Sequence, residues 1–570
     1  MSDSREIELK LQLDPSGRRG LERRLAATFG APAETQELRS VYFDTAKRAL
    51  RRRGLSLRVR HDGTRRIQTL KAGSGLGAGL FDRPEWEQEI AGDTPDGALF
   101  AAAEARRHLA RRGALVPVFE TAVTRRGWRL ERNGSRLLVT VDLGAVRADG
   151  RDEPISEVEL ELEDGEAAEL FGLATELAAW PGLRLGASAK SDRGYALADR
   201  EEPSSVKAGP VALAKGASAA AAFQAVARSC LRHYLLNEAL LLRSRSPDAL
   251  HQARVALRRL RSALSLHRKV VADSQADAIR QELRALSALF GAARNLDVFR
   301  ERLKAAEAAG TPGPAGSEAR IEERRTAAYD GLLRRVQGRG CRTFLVELSA
   351  WIETGAWLER DAGQKDARDV AAKVLSKRRR QLKRSGRHLA DLDPEARHEV
   401  RIAAKKLRYA SEFFAGLFPG GKRGRRREAF VAALSGLQDS LGDLNDIATG
   451  DELAHSLAQP AGKPAAPDTT ETASEPAATE GLEPVAGPDA GAEPDAGAEP
   501  DVGAEPEAGA EPRTADDAEP VGPAESPPGA ASGPGPAGEE APGPESPEAP
   551  LLQAAAAAHR SFRRTKPFWR

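Results

Sequence analysis

Cysteine is nearly missing. Cys230 and Cys341 are the only two in 570 residues, so a disulfide framework is excluded and a reducing compartment is expected. Apolar runs of the roughly 18 residues that span a bilayer do not occur, and the opening MSDSREIELK lacks the apolar core of a secretory signal. These absences predict a soluble, cytoplasmic chain. Aromatic residues are scarce, at 5%. Net charge is also low, at +2, but it conceals an asymmetry. Residues 221–450 hold 44 Lys/Arg against 27 Asp/Glu, a net of +17, and residues 456–550 hold 2 against 21, a net of −19. A basic region beside an acidic tract points to a polyanionic partner, which the acidic tract mimics or repels.

What is present divides the chain into zones. Residues 1–200 alternate polar and apolar in short runs such as EIELKLQL, LSLRVR, RIQTLK, RLLVTVDLG and ISEVELELE. Turn pairs Asp62-Gly63 and Asn133-Gly134 separate some of them, and helical stretches near 15–29, 96–112 and 165–180 interrupt the pattern. This predicts an α+β domain dominated by antiparallel sheet. Residues 201–217 read as a linker. From 218 to 455 the period becomes helical and the composition rich in Ala, Leu and Arg, predicting an all-α region. Residues 456–550 are acidic and low in complexity, with the theme GAEPDAGAEPDVGAEPEAGAEP, and are expected to be disordered. Residues 551–570 turn apolar again, so the acidic tract reads as an insertion before a last helix that docks back.

Glu6, Glu8 and Lys10 share one face of the first strand, opposite Ile7, Leu9 and Leu11. Arg58 and Arg60 alternate with Leu57 and Val59, and Glu157, Glu159 and Glu161 with Val158, Leu160 and Leu162. Lys71 ends another strand. One such alternation describes any solvated sheet face. If all the charged faces turn inward, the lumen suits a metal–polyphosphate substrate: glutamate pairs hold Mg²⁺ or Mn²⁺ while Arg and Lys neutralise phosphate oxygens. The glycine-rich stretch at 73–79 has no GK[ST] ending, so it is not a P-loop and reads as a mobile loop at the tunnel mouth.

Nine motifs in order resemble the CYTH domain. They are Glu6-x-Glu8-x-Lys10, Tyr42-Phe43-Asp44-Thr45, Leu57-Arg58-Val59-Arg60, Thr69-Leu70-Lys71, Arg83-x-Glu85-x-Glu87, Arg125 before Trp128, Val141-Asp142-x-Gly144, Glu157-x-Glu159-x-Glu161, and Lys190 before Arg193-Gly194-Tyr195. The resemblance implies an eight-stranded antiparallel tunnel of the triphosphate tunnel metalloenzymes. It assigns Mg²⁺ or Mn²⁺ to Glu6, Glu8 and one or two of Asp142, Glu157, Glu159 and Glu161. It assigns phosphate binding to Lys10, Arg58, Arg60, Lys71, Arg125 and Lys190, with Glu6, Glu8 and Lys10 as the catalytic motif.

In the helical zone, His251, Arg254, Arg258 and Arg261 fall at the same offsets as His398, Arg401, Lys405 and Arg408, each set along one helix face. FGAARNLDV at 290–298 and LGDLNDIA at 441–448 follow them. This is an internal duplication of about 150 residues, consistent with two related helical bundles. Facing each other, two such helices would form a positive cleft. Neither histidine has metal-spaced partners. These segments resemble the CHAD domain, which implies a pair of four-helix bundles that binds inorganic polyphosphate through the two histidine–arginine sets. Asn295 departs from the family's usual Asp, and the acidic insertion is a second departure.

The expected function is therefore hydrolysis of inorganic triphosphate in the tunnel with polyphosphate held by the helical domain, and association with polyphosphate granules. The alternatives are a non-catalytic polyphosphate-binding protein and a class IV adenylate cyclase-like activity. A nucleic-acid binder ranks last, because the basic helix faces lack interleaved aromatics for base stacking.

Overall fold

A computed structural model describes residues 5–14, 17–73, 78–110, 113–310, 316–458 and 548–569. The expected disordered tract falls almost wholly outside the described residues, as do residues 74–77 of the glycine-rich stretch. Among the described residues no helix is long and apolar enough to cross a membrane.

The N-terminal half contains β1 (Arg5–Leu13), α1 (Arg18–Phe29), β2 (Glu34–Asp44), β3 (Leu55–Asp62), β4 (Arg65–Ala72), β5 (Leu80–Glu89), α2 (Ala103–Leu109), β6 (Val116–Arg132), β7 (Ser135–Ala148), β8 (Arg151–Asp164), α3 (Ala167–Ala178), β9 (Leu183–Leu185) and α4 (Lys190–Ala198). The strands pair in the order β5-β4-β3-β2-β6-β7-β8-β1, and β1 also pairs with β5, so eight antiparallel strands close into a barrel. Short β9 adds to β1 through Leu11↔Leu185. Asn133 and Gly134, both at positive φ, make the β6–β7 turn, as an Asn-Gly pair between alternating strands predicts.

Closure decides which face of each strand meets water. The apolar sides of β1, β7 and β8 (Leu9, Leu11, Val139, Val141, Val158, Leu160) face outward, where Leu170, Leu173 and Leu177 of α3 cover them. The charged sides turn into the lumen, and Glu6, Glu8 and Lys10 are buried. These alternations are therefore the wall of a tunnel rather than a solvated sheet face.

The helical half contains α5 (Ala219–Ser244), α6 (Pro247–Leu266), α7 (Ser274–Ala308), α8 (Ser317–Gln337), α9 (Arg339–Thr354), α10 (Asp361–Gln364), α11 (Ala367–Ser385), α12 (Pro394–Phe413), α13 (Gly421–Ala458) and α14 (Glu548–Arg564). Helices α5–α8 form one bundle and α11–α14 a second, packed in chain order, with α6 against α12. Pro247 and Pro394 each open their helix behind a capping side chain, Ser246 and Asp393. The last helix docks back as expected: Phe562, Phe568 and Trp569 pack edge-on to Phe430 of α13 at 5.5, 5.9 and 5.3 Å. The segment 201–214 has no regular secondary structure but is tied down, since Val206 exchanges hydrogen bonds with Asn237 of α5.

Candidate functional sites: a charged tunnel and a basic cleft

The tunnel encloses a cavity of about 430 Å³. Of the residues singled out by sequence, Glu6, Glu8, Lys10, Arg58, Arg60, Lys71, Arg125, Glu159, Glu161 and Lys190 line it. Asp142 and Glu157 do not. They face inward on β7 and β8 but lie at the inner end of the lumen, almost fully buried, and hold its cations in place. Asp142 accepts both arms of Arg125 at 2.7 and 2.6 Å. The Lys190 ammonium lies 2.6 Å from Asp142, 2.5 Å from Glu157 and 2.9 Å from Glu159. Burial alone would raise the Asp142 carboxyl, but Lys190 and Arg125 beside it hold its pKa low.

The charge is not evenly balanced around the lumen. Glu159 is compensated, for burial would raise its carboxyl but Lys10, Lys190 and Arg125 keep it well below the usual range. Glu6 pairs with Lys71 at 2.5 Å and with Arg83 at 3.0 Å, and Glu8 with Arg83 at 2.7 Å and Lys10 at 3.1 Å. Glu161 stands opposite Glu8 across the β1–β8 pair. Burial, then the charges of Glu6 and Glu8, push its carboxyl up to about 7. On the other wall, Nε of Arg58 and of Arg60 is buried without a hydrogen-bond partner among the described residues. The lumen thus has a carboxylate wall short of positive charge and a guanidinium wall with unsatisfied donors. That combination fits a cation–polyanion pair.

The cleft lies between α6, α7 and α12 and encloses about 990 Å³. Among the described residues, eleven Lys/Arg line it against one acid, Asp277. His251, Arg254, Arg258, Arg261, His398, Arg401 and Lys405 are among the lining residues; Arg408 is not, and it pairs instead with Glu412 at 3.5 Å. Tyr409 braces Arg258, accepting from its Nε at 2.7 Å. Burial and then the neighbouring cations Arg258, Arg294 and Arg401 lower the pKa of Arg254. Burial with Arg294, Arg258 and Arg254 likewise lowers that of His251. Cations crowded this far with so few described acids among them make a site for a polyanion. The duplication is visible in the contacts: a Cβ on Gly291 of α7 would meet Arg254 at 3.5 Å, and one on Gly442 of α13 would meet Arg401 at 3.9 Å.

With both sites described, comparison with known proteins decides the family. Residues 4–195 match the CYTH domain and residues 225–455 the CHAD domain. The chain carries a CYTH domain and a CHAD domain. An inorganic triphosphatase of Haemophilus influenzae is 29% identical over 197 residues, 34% of this chain and 56% of that relative. The chain therefore spans little more than half the length of the curated relative. Among solved structures, the CHAD domain from the plant Ricinus communis is 27% identical, with TM-score 0.40 over 45% of this chain and 84% of that one. An adenylyl cyclase candidate from Hippeastrum, described as having a dominant triphosphatase activity, is 22% identical, with TM-score 0.27 over 33% of this chain and 94% of that one.

Sequence reasoning left several CYTH residues without a role. Arg83 bridges Glu6 and Glu8, Glu85 pairs with Lys71 at 3.2 Å, and Thr69 donates to Glu87 at 2.9 Å. All four were visible as motif members; the Arg83 contacts depend on the closure of β5 onto β1, and the other two on the β4–β5 register. The Tyr42–Thr45 and Arg193–Tyr195 motifs form a buried brace. Tyr195 donates to Asp44 at 3.1 Å, and Asp44 accepts from the backbone of Thr45, Leu50 and Arg51. A Cβ on Gly194 would lie 2.0 Å from Phe119, so only glycine lets α4 seat against β6 with Lys190 at its first turn. In the CHAD domain the unassigned cations are Arg268, Lys406 and, on α7, Arg280, Arg284, Arg294 and Arg302, with Asn295 beside these four in the lining.

Proposed function

We propose that the CYTH tunnel hydrolyses inorganic triphosphate with the help of Mg²⁺ or Mn²⁺, while the CHAD cleft holds polyphosphate. The observation that carries the tunnel reading is the Glu161 carboxyl, pushed up to about 7 by burial, Glu6 and Glu8, across from the unsatisfied Nε atoms of Arg58 and Arg60. The name of the Haemophilus influenzae relative agrees with it.

A divalent cation fits the donor chemistry, since the candidate ligands are carboxylate oxygens, hard donors of the kind these ions take. Two groups compete for it. Asp142, Glu157 and Glu159 offer oxygens within 4.8 Å of one another, but the Lys190 ammonium already lies against all three, with Arg125 on Asp142 and Glu159 and Lys10 on Glu159. Glu161 is not compensated in that way; it stands with Glu6 and Glu8, which share Lys71, Arg83 and Lys10, and these three are the favoured set. When bound, the cation supplies Lewis-acid polarisation of a phosphoryl oxygen and acidifies a bound water. Arg58, Arg60 and Lys71 bind phosphate oxygens, Arg125 presents its guanidinium from the fork of Asp142, and Lys190 closes the inner end of the site. Buried, charge-assisted donors are worth most where water is excluded.

Cyclisation of ATP is the weaker reading of the same wall. A nucleobase needs a stacking platform, and Tyr42, the one aromatic residue in the lining, is buried and stacked on Phe119 at 4.4 Å. The test is phosphate release by the double substitution Glu6→Ala/Glu8→Ala. Release falling by at least ~10³-fold with circular dichroism unchanged is expected, and retained release would sink the assignment.

A further inference from the structure

The barrel closes at a short seam. Strands β1 and β5 pair over five positions, Arg5↔Pro84 to Leu9↔Leu80, against thirteen for β6 and β7. This seam carries Glu6 and Glu8 on one side and Arg83 on the other. A short ladder has few hydrogen bonds to hold it against local opening.

Its lower end is gripped from outside the tunnel domain. Ala78, two residues before Leu80, is fully buried, and its carbonyl accepts a 2.9 Å hydrogen bond from the hydroxyl of Ser349 on α9. The next carbonyl, of Gly79, accepts from the backbone N–H of Lys10 at 3.1 Å. Gly79 sits at φ +92°, and a Cβ there would lie 2.3 Å from Leu185 of β9, so the chain passes hard against β9 at this point. Helix α9 is itself anchored to the tunnel domain independently, because Arg342 donates to the carbonyls of Ala178 at 3.2 Å and Trp180 at 3.1 Å.

We infer that the helical domain positions the tunnel's carboxylates: Ser349 of α9 pins Ala78 and thereby holds shut the β1–β5 seam on which Glu6 and Glu8 lie. Ser349 touches neither substrate nor cation, so it is a positioning residue. Without its hydroxyl, the Ala78 carbonyl is left buried and unpaired, and the seam opens more often while α9 stays docked through Arg342. The seam claim stands on geometry alone; only its catalytic consequence rests on the proposed hydrolysis.

The experiment uses the full chain with Ser349→Ala, and with Ser411→Ala as control. Ser411 is equally buried, but its hydroxyl bonds within its own helix, to Leu407. Amide exchange is followed in peptides spanning 5–13 and 80–89, Mn²⁺ binding by titration, and tripolyphosphate turnover in the same preparations. Exchange faster by at least ~5-fold in those peptides alone, with Mn²⁺ half-saturation raised ~3-fold or more, is expected for Ser349→Ala and not for the control. Partial recovery in Ser349→Cys, whose thiol still donates weakly, strengthens the assignment. Seam exchange or Mn²⁺ half-saturation equal to the parent's overturns it. A parent protein without turnover removes the hydrolysis reading, and the exchange and Mn²⁺ results still judge the seam.

Discussion

Glu161 shows how a residue's surroundings carry functional information that its place in a pattern does not. Its alternation with Leu160 and Leu162 was legible in the sequence, as was the pairing of Glu6 and Glu8 on one face. That Glu159 is neutralised by three cations and Glu161 by almost none was not, because those three come from two other strands, β1 and β6, and from helix α4. The raised carboxyl has a linkage consequence. Its folded pKa, about 7, lies above the reference 4.5. It therefore favours the folded state fully below about 4.5, and that contribution is lost as pH rises through about 7. In metal-free protein, Glu161→Gln should flatten the fall in stability between pH 5 and 8 by on the order of 2 kcal/mol, read from urea midpoints at each pH. An unchanged slope would contradict the charge assignment. In the cleft, Arg254→Ala and Arg401→Ala should each weaken polyphosphate binding ~10-fold and reduce the steepness of its salt dependence by about one contact. Equal salt slopes in parent and variants would remove those side chains from the site.

At the scale of elements, period did most of the prediction. Two-residue alternation located the strands, and a repeated helical stripe located α6 and α12. It did not locate the third wall of the cleft. Arg280, Arg284 and Arg294 belong to α7, whose charges of both signs carry no conspicuous stripe, and only its packing beside α6 brings them in. Nor did it show that α4 is a plug seated by the Asp44–Tyr195 brace. Gly194→Ala puts a methyl into the ring of Phe119, and overpacking of this kind costs about 1–3 kcal/mol. The melting temperature should fall by several degrees and triphosphate turnover should drop with it, as Lys190 leaves the wall. Full turnover in that variant would mean that α4 does not set the site. Gly291→Leu makes the matching test on the duplicated hairpin. Its side chain takes the space beside Arg254, so polyphosphate affinity should fall while the tunnel reaction is untouched.

For the whole molecule, the order of zones was legible because each has its own composition: alternating, helical, acidic, helical again. Composition could not reveal that the tunnel and helical domains share one continuous apolar core, or that α9 reaches the tunnel's closing seam. Those are products of docking, which leaves no period in a sequence. The acidic tract, net −19, enters after α13 and leaves before α14, which pack on each other. Deleting 459–547 and rejoining the chain with a short flexible linker should preserve both domains and tighten polyphosphate binding, and an unchanged affinity would end the idea that the tract competes for the cleft. The central claim concerns the tunnel. Its most direct test is phosphate release by the purified chain from tripolyphosphate, ATP and long-chain polyphosphate, each with Mg²⁺, Mn²⁺ or EDTA. Release mainly from tripolyphosphate, abolished by EDTA, is predicted; no release from any of the three, with polyphosphate still retained, would make this a binding protein with a silent barrel.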